Sequence, residues 1–317
     1  MSLLDHLSDS AALHVTRPAD FDHFRNIERL GDARSIPLEL KGFAASFAAV
    51  TLKSCAIYLQ LTFPRILQAT YRTGGAIIGF GMDDEVTATV NGAGARPPMV
   101  LLTRGCAPCE LVEPRANLVA FINFDAIDDR DWPGEAGRAQ LIRTGAAELE
   151  ALRAVIRNVI ALASNSAAFA QPHVIENLEE SVLQAVDRVM LAAPAVEGRR
   201  ANLTQYLALV RRLDEHLAFN ASQTLYSAEL AKQLGVSVRT LHNAVVTIRG
   251  MSMHRYVRLR RLWTVRQQLV QGASTAVIKA IALANGFWHM GEFSSLYRTT
   301  FGETPQQTLA AARGQRR

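Results

Sequence analysis

The chain is poor in the residues and runs that mark several protein classes. It has three cysteines, Cys55, Cys106 and Cys109, among 317 residues. So sparse and odd a set, in a chain whose start does not read as a secretory leader, argues against a disulfide scaffold and for reduced thiols. Met1–Asp9 holds two aspartates and a histidine but no basic stretch, which is why it does not read as a signal peptide. No run approaches the ~18–20 uninterrupted apolar residues of a membrane-spanning helix, so a cytoplasmic location is expected. Histidine is absent between Phe24 and Pro172, which removes the ligand cluster that a metal enzyme would need there. No enzyme activity, metal or obligatory cofactor is expected.

Acidic residues are scarce in the last third. Arg199–Arg317 holds 17 Lys and Arg against 5 Asp and Glu, a net of +12, while the first 198 residues carry a net of −7. Such asymmetry suggests that one part meets a polyanion. Residues ~20–145 read as short strands: Phe43–Thr51, Ala56–Phe63, Ala76–Phe80, Val86–Val90, Met99–Thr103 and Leu118–Phe124. Asn91-Gly92 after Val90 is a two-residue hairpin signal. Regular short strands with glycine turns suggest a barrel or sandwich. From Ala146 the apolar period becomes helical, with Leu149, Leu152 and Ile156 on one face, then Leu178, Val182, Ala185 and Val189 on a second helix. This pair is expected to form a dimer seam, and Ala193–Arg200 a linker.

From Leu203 onward the pattern is helical, and it contains a repeat. Leu230-Ala231 with Leu234-Gly235-Val236 recurs 51 residues later as Ile281-Ala282 with Asn285-Gly286-Phe287. Ser227 with Glu229, and Ser274 or Thr275, are the candidate caps in front. Each glycine stands where a helix should end in a left-handed turn, and each turn leads into a further helix, Ser237–Arg249 and about His289–Phe301. Small Ala231 and Ala282 suit a close helix crossing, while Leu241 and Phe293 would anchor the second helices. Between the copies, Ser252–Gln271 as one helix would span ~30 Å, close to the ~34 Å between successive major-groove faces. Two helix-turn-helix units in a basic domain predict a double-stranded DNA partner.

The residues that carry this pattern resemble the AraC family of bacterial regulators. Ser237-Val-Arg239-Thr-Leu241, Gly250-Met-Ser252, Tyr256 and Arg261-Leu262 look like its first unit. Gly286-Phe287-Trp288-His289-Met290-Gly-Glu-Phe293, Tyr297-Arg298, Phe301-Gly302-Glu303, Pro305 and Thr308-Leu309 look like its second. The resemblance covers about residues 200–310. Asn243, Val245 and Met253 depart from the basic, aromatic and proline residues common at those places. It implies a β-barrel sensor that binds a small effector and drives dimerisation, transcription activation, and RNA polymerase as a further partner.

The expected class is therefore α+β. Residues 1–145 form a β-barrel or jelly-roll-like effector-sensing domain, 146–198 a helical dimerisation pair and linker, and 199–317 an all-α domain with two helix-turn-helix units. Base contacts are assigned to Arg239, His242 and Asn243 on the first reading helix, since Arg suits guanine and Asn adenine. On the second they fall to His289, Met290, Ser294 and Ser295, a weaker set. Thr240, Arg258, Arg298 and Thr300 are the backbone candidates. For the effector, Arg25-Asn-Ile-Glu-Arg29 is similar to the arginine motif of PilZ domains, which bind cyclic di-GMP, and two guanidinia can clamp phosphates. The nearest counterpart of the PilZ strand, Thr87-Ala-Thr89-Val-Asn-Gly92, lacks its acid or amide. Cyclic di-GMP is thus the leading single candidate, with Arg25, Arg29, Thr87 and Thr89 as its residues. A thiol switch at Cys106-Ala-Pro-Cys109 and an enzyme with a DNA-tethering domain are the alternatives.

Overall fold

Apolar alternation and turn residues settle most of the first unit. The computed structural model describes residues 3–28, 33–71, 74–127, 130–165, 169–192, 201–219, 226–272 and 277–314. The chain divides into two units, Met1–Ser35 with Ala44–Arg199, and Ile36–Phe43 with Arg200–Arg317. No helix among the described residues is long and apolar enough to cross a membrane.

In the first unit a seven-stranded sheet runs in the order β1 (His14–Thr16), β3 (Ser46–Thr51), β4 (Cys55–Leu61), β11 (Leu118–Phe124), β6 (Ala76–Gly81), β9 (Met99–Arg104), β12 (Ala139–Arg143). A five-stranded sheet runs β2 (Ala33–Pro37), β5 (Arg65–Tyr71), β10 (Ala107–Glu113), β7 (Ala88–Val90), β8 (Ala93–Ala95). Pairing is antiparallel from β4 through β11 to β6 and from β5 through β10 to β7. The strands make two sheets, the jelly-roll-like form of the expected architecture, and no closed cylinder is seen among the described residues. The Asn91-Gly92 hairpin joins β7 to β8, with φ of 50° and 84° at its two central residues, the positive values a type I′ turn demands.

The sequence pattern foresaw neither β5 nor β10, and the reason is chemical. Each carries a charged residue on a buried face, Arg65 and Glu113, which breaks the alternation of apolar inward residues. The Arg65 Nε donates to Glu113 Oε2 at 2.7 Å. Thr62 Oγ1 and Asn117 Nδ2 donate to the other carboxylate oxygen at 2.9 and 3.0 Å. The Arg65 guanidinium also lies over the Phe24 and Phe63 rings at 5.8 and 5.5 Å. Pairing and hydrogen bonding on both partners are what make a buried charge tolerable.

Helices α2 (Ala146–Ala163) and α3 (Pro172–Leu191) are the pair expected at a dimer seam. Their apolar faces, including Leu152, Ile156, Val182 and Val186, join Ile57, Leu59, Ile78 and Ile122 of the larger sheet in one buried cluster. That face of each helix is packed against the sheet of its own unit. Arg153 of α2 is buried and donates to the carbonyls of Gly81 and Asp83 at 2.8 and 2.7 Å. The boundary at residues 145/146 therefore falls inside the first unit. The proposed linker Ala193–Arg200 lies outside the described residues.

The second unit is helical, with α4 (Ala201–Phe219), α5 (Ser227–Gln233), α6 (Val238–Arg249), α7 (Met253–Gln271), α8 (Ile278–Ala284), α9 (Met290–Phe301) and α10 (Pro305–Gly314). It also includes the distant segment Ile36–Phe43, where the Leu40 N–H donates to the Thr300 carbonyl at 2.7 Å and the Trp263 indole N–H to the Pro37 carbonyl at 3.2 Å. The core forms around α7, which buries Tyr256, Leu259, Leu262, Val265 and Leu269. Arg249 is 0% exposed; its Nη2 donates to Asp214 Oδ2 of α4 at 2.6 Å, and the Tyr256 hydroxyl donates to the other oxygen of the same carboxylate. This triad ties the ends of α6 and α7 to α4.

Candidate nucleic-acid interface

The two turns are built alike. In the first, Gly235 has φ 70° and the Val236 N–H returns to the Ala231 carbonyl at 3.0 Å. In the second, Gly286 has φ 81° and the Phe287 N–H returns to the Ala282 carbonyl at 3.0 Å. This six-to-one bond around a left-handed residue closes one helix and aims the next. Ala231 and Ala282 are buried at the crossing, and Leu241 and Phe293 are buried beneath the second helices. The caps differ from expectation. α5 starts at Ser227, and the Glu229 carboxylate accepts from the Tyr226 N–H at 2.9 Å, so the capping residue is Tyr226. Ser274 and Thr275 lie outside the described residues.

Helix α6 is capped by Ser237, whose Oγ accepts from the Thr240 N–H at 3.0 Å. It buries Leu241, Ala244, Val245 and Ile248, which leaves Arg239, His242 and Asn243 exposed on its outer face. The Thr240 hydroxyl lies 2.8 Å from that of Ser237, inside the cap. On α9, His289, Ser294, Ser295 and Arg298 are exposed and Met290 is half-buried. Thr300 is a correction. It is buried, and its hydroxyl donates back to the Leu296 carbonyl at 2.9 Å, so it has no face to offer a phosphate. Arg258 is half-buried and paired with Glu292 in the first turn of α9. Sequence reasoning passed over Val238 and Val246, large apolar side chains exposed on α6. An exposed valine on a reading face can meet a thymine methyl, and the i, i+4 spacing of Val238 and Val246 to His242, with Val246 three residues after Asn243, is the signal that would have found them.

Helix α7 covers roughly 28 Å at 1.5 Å per residue, near the separation of adjacent major-groove faces. Its basic residues divide by role. Arg255 is exposed, whereas Arg260 and Arg266 are buried, the latter 3.3 Å from Glu303 and over the Trp263 and Phe301 rings.

Of the effector candidates in the first unit, those that are described lie on α1 (Phe21–Glu28) and at β7. Arg25 lies on α1, 3.8 Å from Asp22, and α1 packs through Phe24 on Phe47 and Phe63. Arg29 lies outside the described residues. The Thr87 hydroxyl donates to the Glu85 carbonyl and accepts from Arg115 at 3.2 Å each. Thr89 has a buried hydroxyl without a hydrogen-bond partner. Thr89 lies on β7 and Thr87 just before it. A cavity of about 50 Å³ between the sheets is lined by Phe80, Val90, Leu101, Leu111 and Phe121 and ends at Arg65 and Glu113. Of the two thiols considered for a switch, Cys109 is buried on β10 and Cys106, just before that strand, is exposed.

With this geometry in place, the comparisons with known proteins agree with one another. A family model described as a helix-turn-helix domain matches residues 230–311. The probable thc operon regulatory protein of Rhodococcus erythropolis is 34% identical over 103 residues, 32% of this chain and 31% of that protein. The XylDLEGF operon transcriptional activator 3 of Pseudomonas putida is 32% identical over 99 residues, 31% of this chain and 30% of that protein. The match thus spans about a third of each curated relative. A solved structure titled a probable AraC family transcriptional regulator from Rhodopseudomonas palustris CGA009 is 33% identical, covers 33% of this chain and 97% of that one, and has a TM-score of 0.30. Residues 230–311 carry a helix-turn-helix domain, and over that part the chain is similar to AraC-type transcription regulators.

Proposed function

We propose that this chain is a sequence-specific DNA-binding transcription activator whose DNA competence is set by a small molecule held in its β-rich unit. The observation that carries the first half is the pair of equivalent turns 51 residues apart, each presenting an exposed helix face joined by α7. Arg239, His242 and Asn243 read base edges through α6, and His289, Met290, Ser294 and Ser295 read through α9. Arg298 and the Thr240 backbone stand against phosphate. Arg239→Ala should weaken binding to a selected duplex by about 1–3 kcal/mol while leaving random DNA nearly unchanged. Equal loss on both, measured by fluorescence anisotropy, removes the base-contact assignment.

Activation, with RNA polymerase as partner, rests on the relatives that are themselves named activators. The effector shifts the population between DNA-competent and incompetent states. The cavity between the sheets is smaller than the few hundred Å³ of an ordinary ligand pocket, so a ligand there must open the sheets. Cyclic di-GMP at Arg25 and Arg29 is the finer alternative. Calorimetric titration of cyclic di-GMP into wild type and the Arg25→Ala, Arg29→Ala variant tests it: heat lost in the variant supports that site, and no heat with wild type excludes it. A homodimer belongs to the same proposal, and sedimentation equilibrium with and without DNA tests it.

A further inference from the structure

Between the two reading heads lies a cleft of about 300 Å³, formed wholly within the helical unit. Tyr226 and Ser227 at the start of α5 form one rim, Trp288 and His289 before α9 form the other, and His254, Arg258 and Arg261 of α7 rise from its floor. We propose that this cleft is a phosphate seat, which holds the DNA backbone as the duplex passes from one reading helix to the next. The inference rests on the DNA-binding reading and adds Arg261, Tyr226 and Trp288 to it.

A recognition helix in the major groove is walled by two phosphate strands, and residues just before its first turn stand against one of them. Trp288 and His289 occupy that place ahead of α9. Charge comes next. Arg258 pairs with Glu292 across the cleft, and Arg261, His254 and His289 add basic groups to a lining in which Glu292 is the carboxylate. Arg261 is half-buried, and burial holds its guanidinium below its usual value. A partly dehydrated guanidinium gains more from an anion than a solvated one, because its electrostatic field is less screened. The rims complete the case. Trp288 is 67% exposed and Tyr226 71%. Single exposed aromatics need no explanation, but these two face one cationic cleft. Each pairs an apolar ring for the sugar with an N–H or O–H donor for a phosphate oxygen.

The test is fluorescence anisotropy with the full chain, on a random-sequence duplex of about 30 base pairs and on a duplex selected in vitro by the wild-type chain, over roughly 50–200 mM potassium chloride. Arg261→Gln should lower affinity for both duplexes by the same factor, about 3–10-fold, and flatten the salt slope by about one, while Arg261→Lys keeps the slope. Trp288→Ala and Tyr226→Phe should weaken both duplexes without altering the slope, since neither releases a counterion. These two exposed positions carry the test if Arg261→Gln does not fold. Wild-type affinity and slope in all the folded variants overturn the seat. So does loss confined to the selected duplex, which would assign the residues to base reading. If the wild-type chain binds neither duplex, the DNA reading itself fails, and this inference with it.

Discussion

Replacing Asp214 by alanine should damage the helical unit more than any change on its reading faces. Asp214 is the one carboxylate that accepts both from Arg249 at 2.6 Å and from the Tyr256 hydroxyl. Arg249 is fully buried, with its guanidinium 5.3 Å from the Tyr256 ring. Removing one partner of such a pair strands a charge in a low-dielectric site, at a cost of about 3–5 kcal/mol. The lost tyrosine hydrogen bond adds ~1 kcal/mol. For a unit of this size the sum corresponds to a fall in Tm of roughly 10–20 °C. Urea and thermal melts of the full chain, followed by tryptophan fluorescence and near-ultraviolet circular dichroism, read the loss directly. A compensated triple variant, Asp214→Leu with Arg249→Met and Tyr256→Phe, removes the polar groups together and should recover most of the stability, because an apolar replacement of a buried pair is often neutral. An Asp214→Ala variant within 1 kcal/mol of wild type, or a triple variant as unstable as the single one, would refute the reasoning.

Other expectations follow from the same structure. Glu113→Ala leaves Arg65 buried and loses the acceptor for Thr62 and Asn117; the first unit should lose about 3–5 kcal/mol in the same melts. Gly235→Ala meets no atom within 4 Å but must hold φ at 70°, so it should cost about 1–2 kcal/mol, whereas Gly94→Ala, with open space and no positive φ, should cost little. Thiol titration of the native chain should label Cys106 quickly and spare Cys55 and Cys109, all three reacting after denaturation. Burial above all, with Glu179 and Asp125 nearby, pushes the Cys55 thiol from 9.0 up to about 12. The fold therefore favours the protonated thiol. That contribution is fully present below pH 9 and is lost as pH rises toward 12. Rapid labelling of Cys55 in native protein near pH 8 would contradict its burial.

Much of the functional unit was legible from spacing. The two glycines, the small alanines at the crossings and the buried Leu241 and Phe293 are local requirements of a helix-turn-helix, so their types and intervals sufficed. The exposure of Arg239, His242 and Asn243 followed from helical period alone. Local rules also placed the Asn91-Gly92 hairpin, because only a narrow set of residues accepts positive φ at both positions. What escaped were features formed by residues distant in sequence. The burial of Arg249, Arg260, Arg266 and Arg153 is one such feature, decided by packing. The strands β5 and β10 were hidden by Arg65 and Glu113, charges that pair across 48 residues.

The sequence by itself determined that two turn-linked helix pairs recur 51 residues apart in a basic C-terminal third, preceded by a strand-rich region with too few cysteines and histidines for a disulfide or metal scaffold. Only the tertiary structure decided which cations face solvent, where Thr300 and Cys109 point, that α2 and α3 spend their apolar faces on a sheet of their own unit, and that Ile36–Phe43 belongs to the helical unit. The physical reason is range. Turn geometry and helical period act over a few residues and leave a mark in sequence, whereas burial and ion pairing depend on which distant surfaces meet, and residue types alone do not fix that.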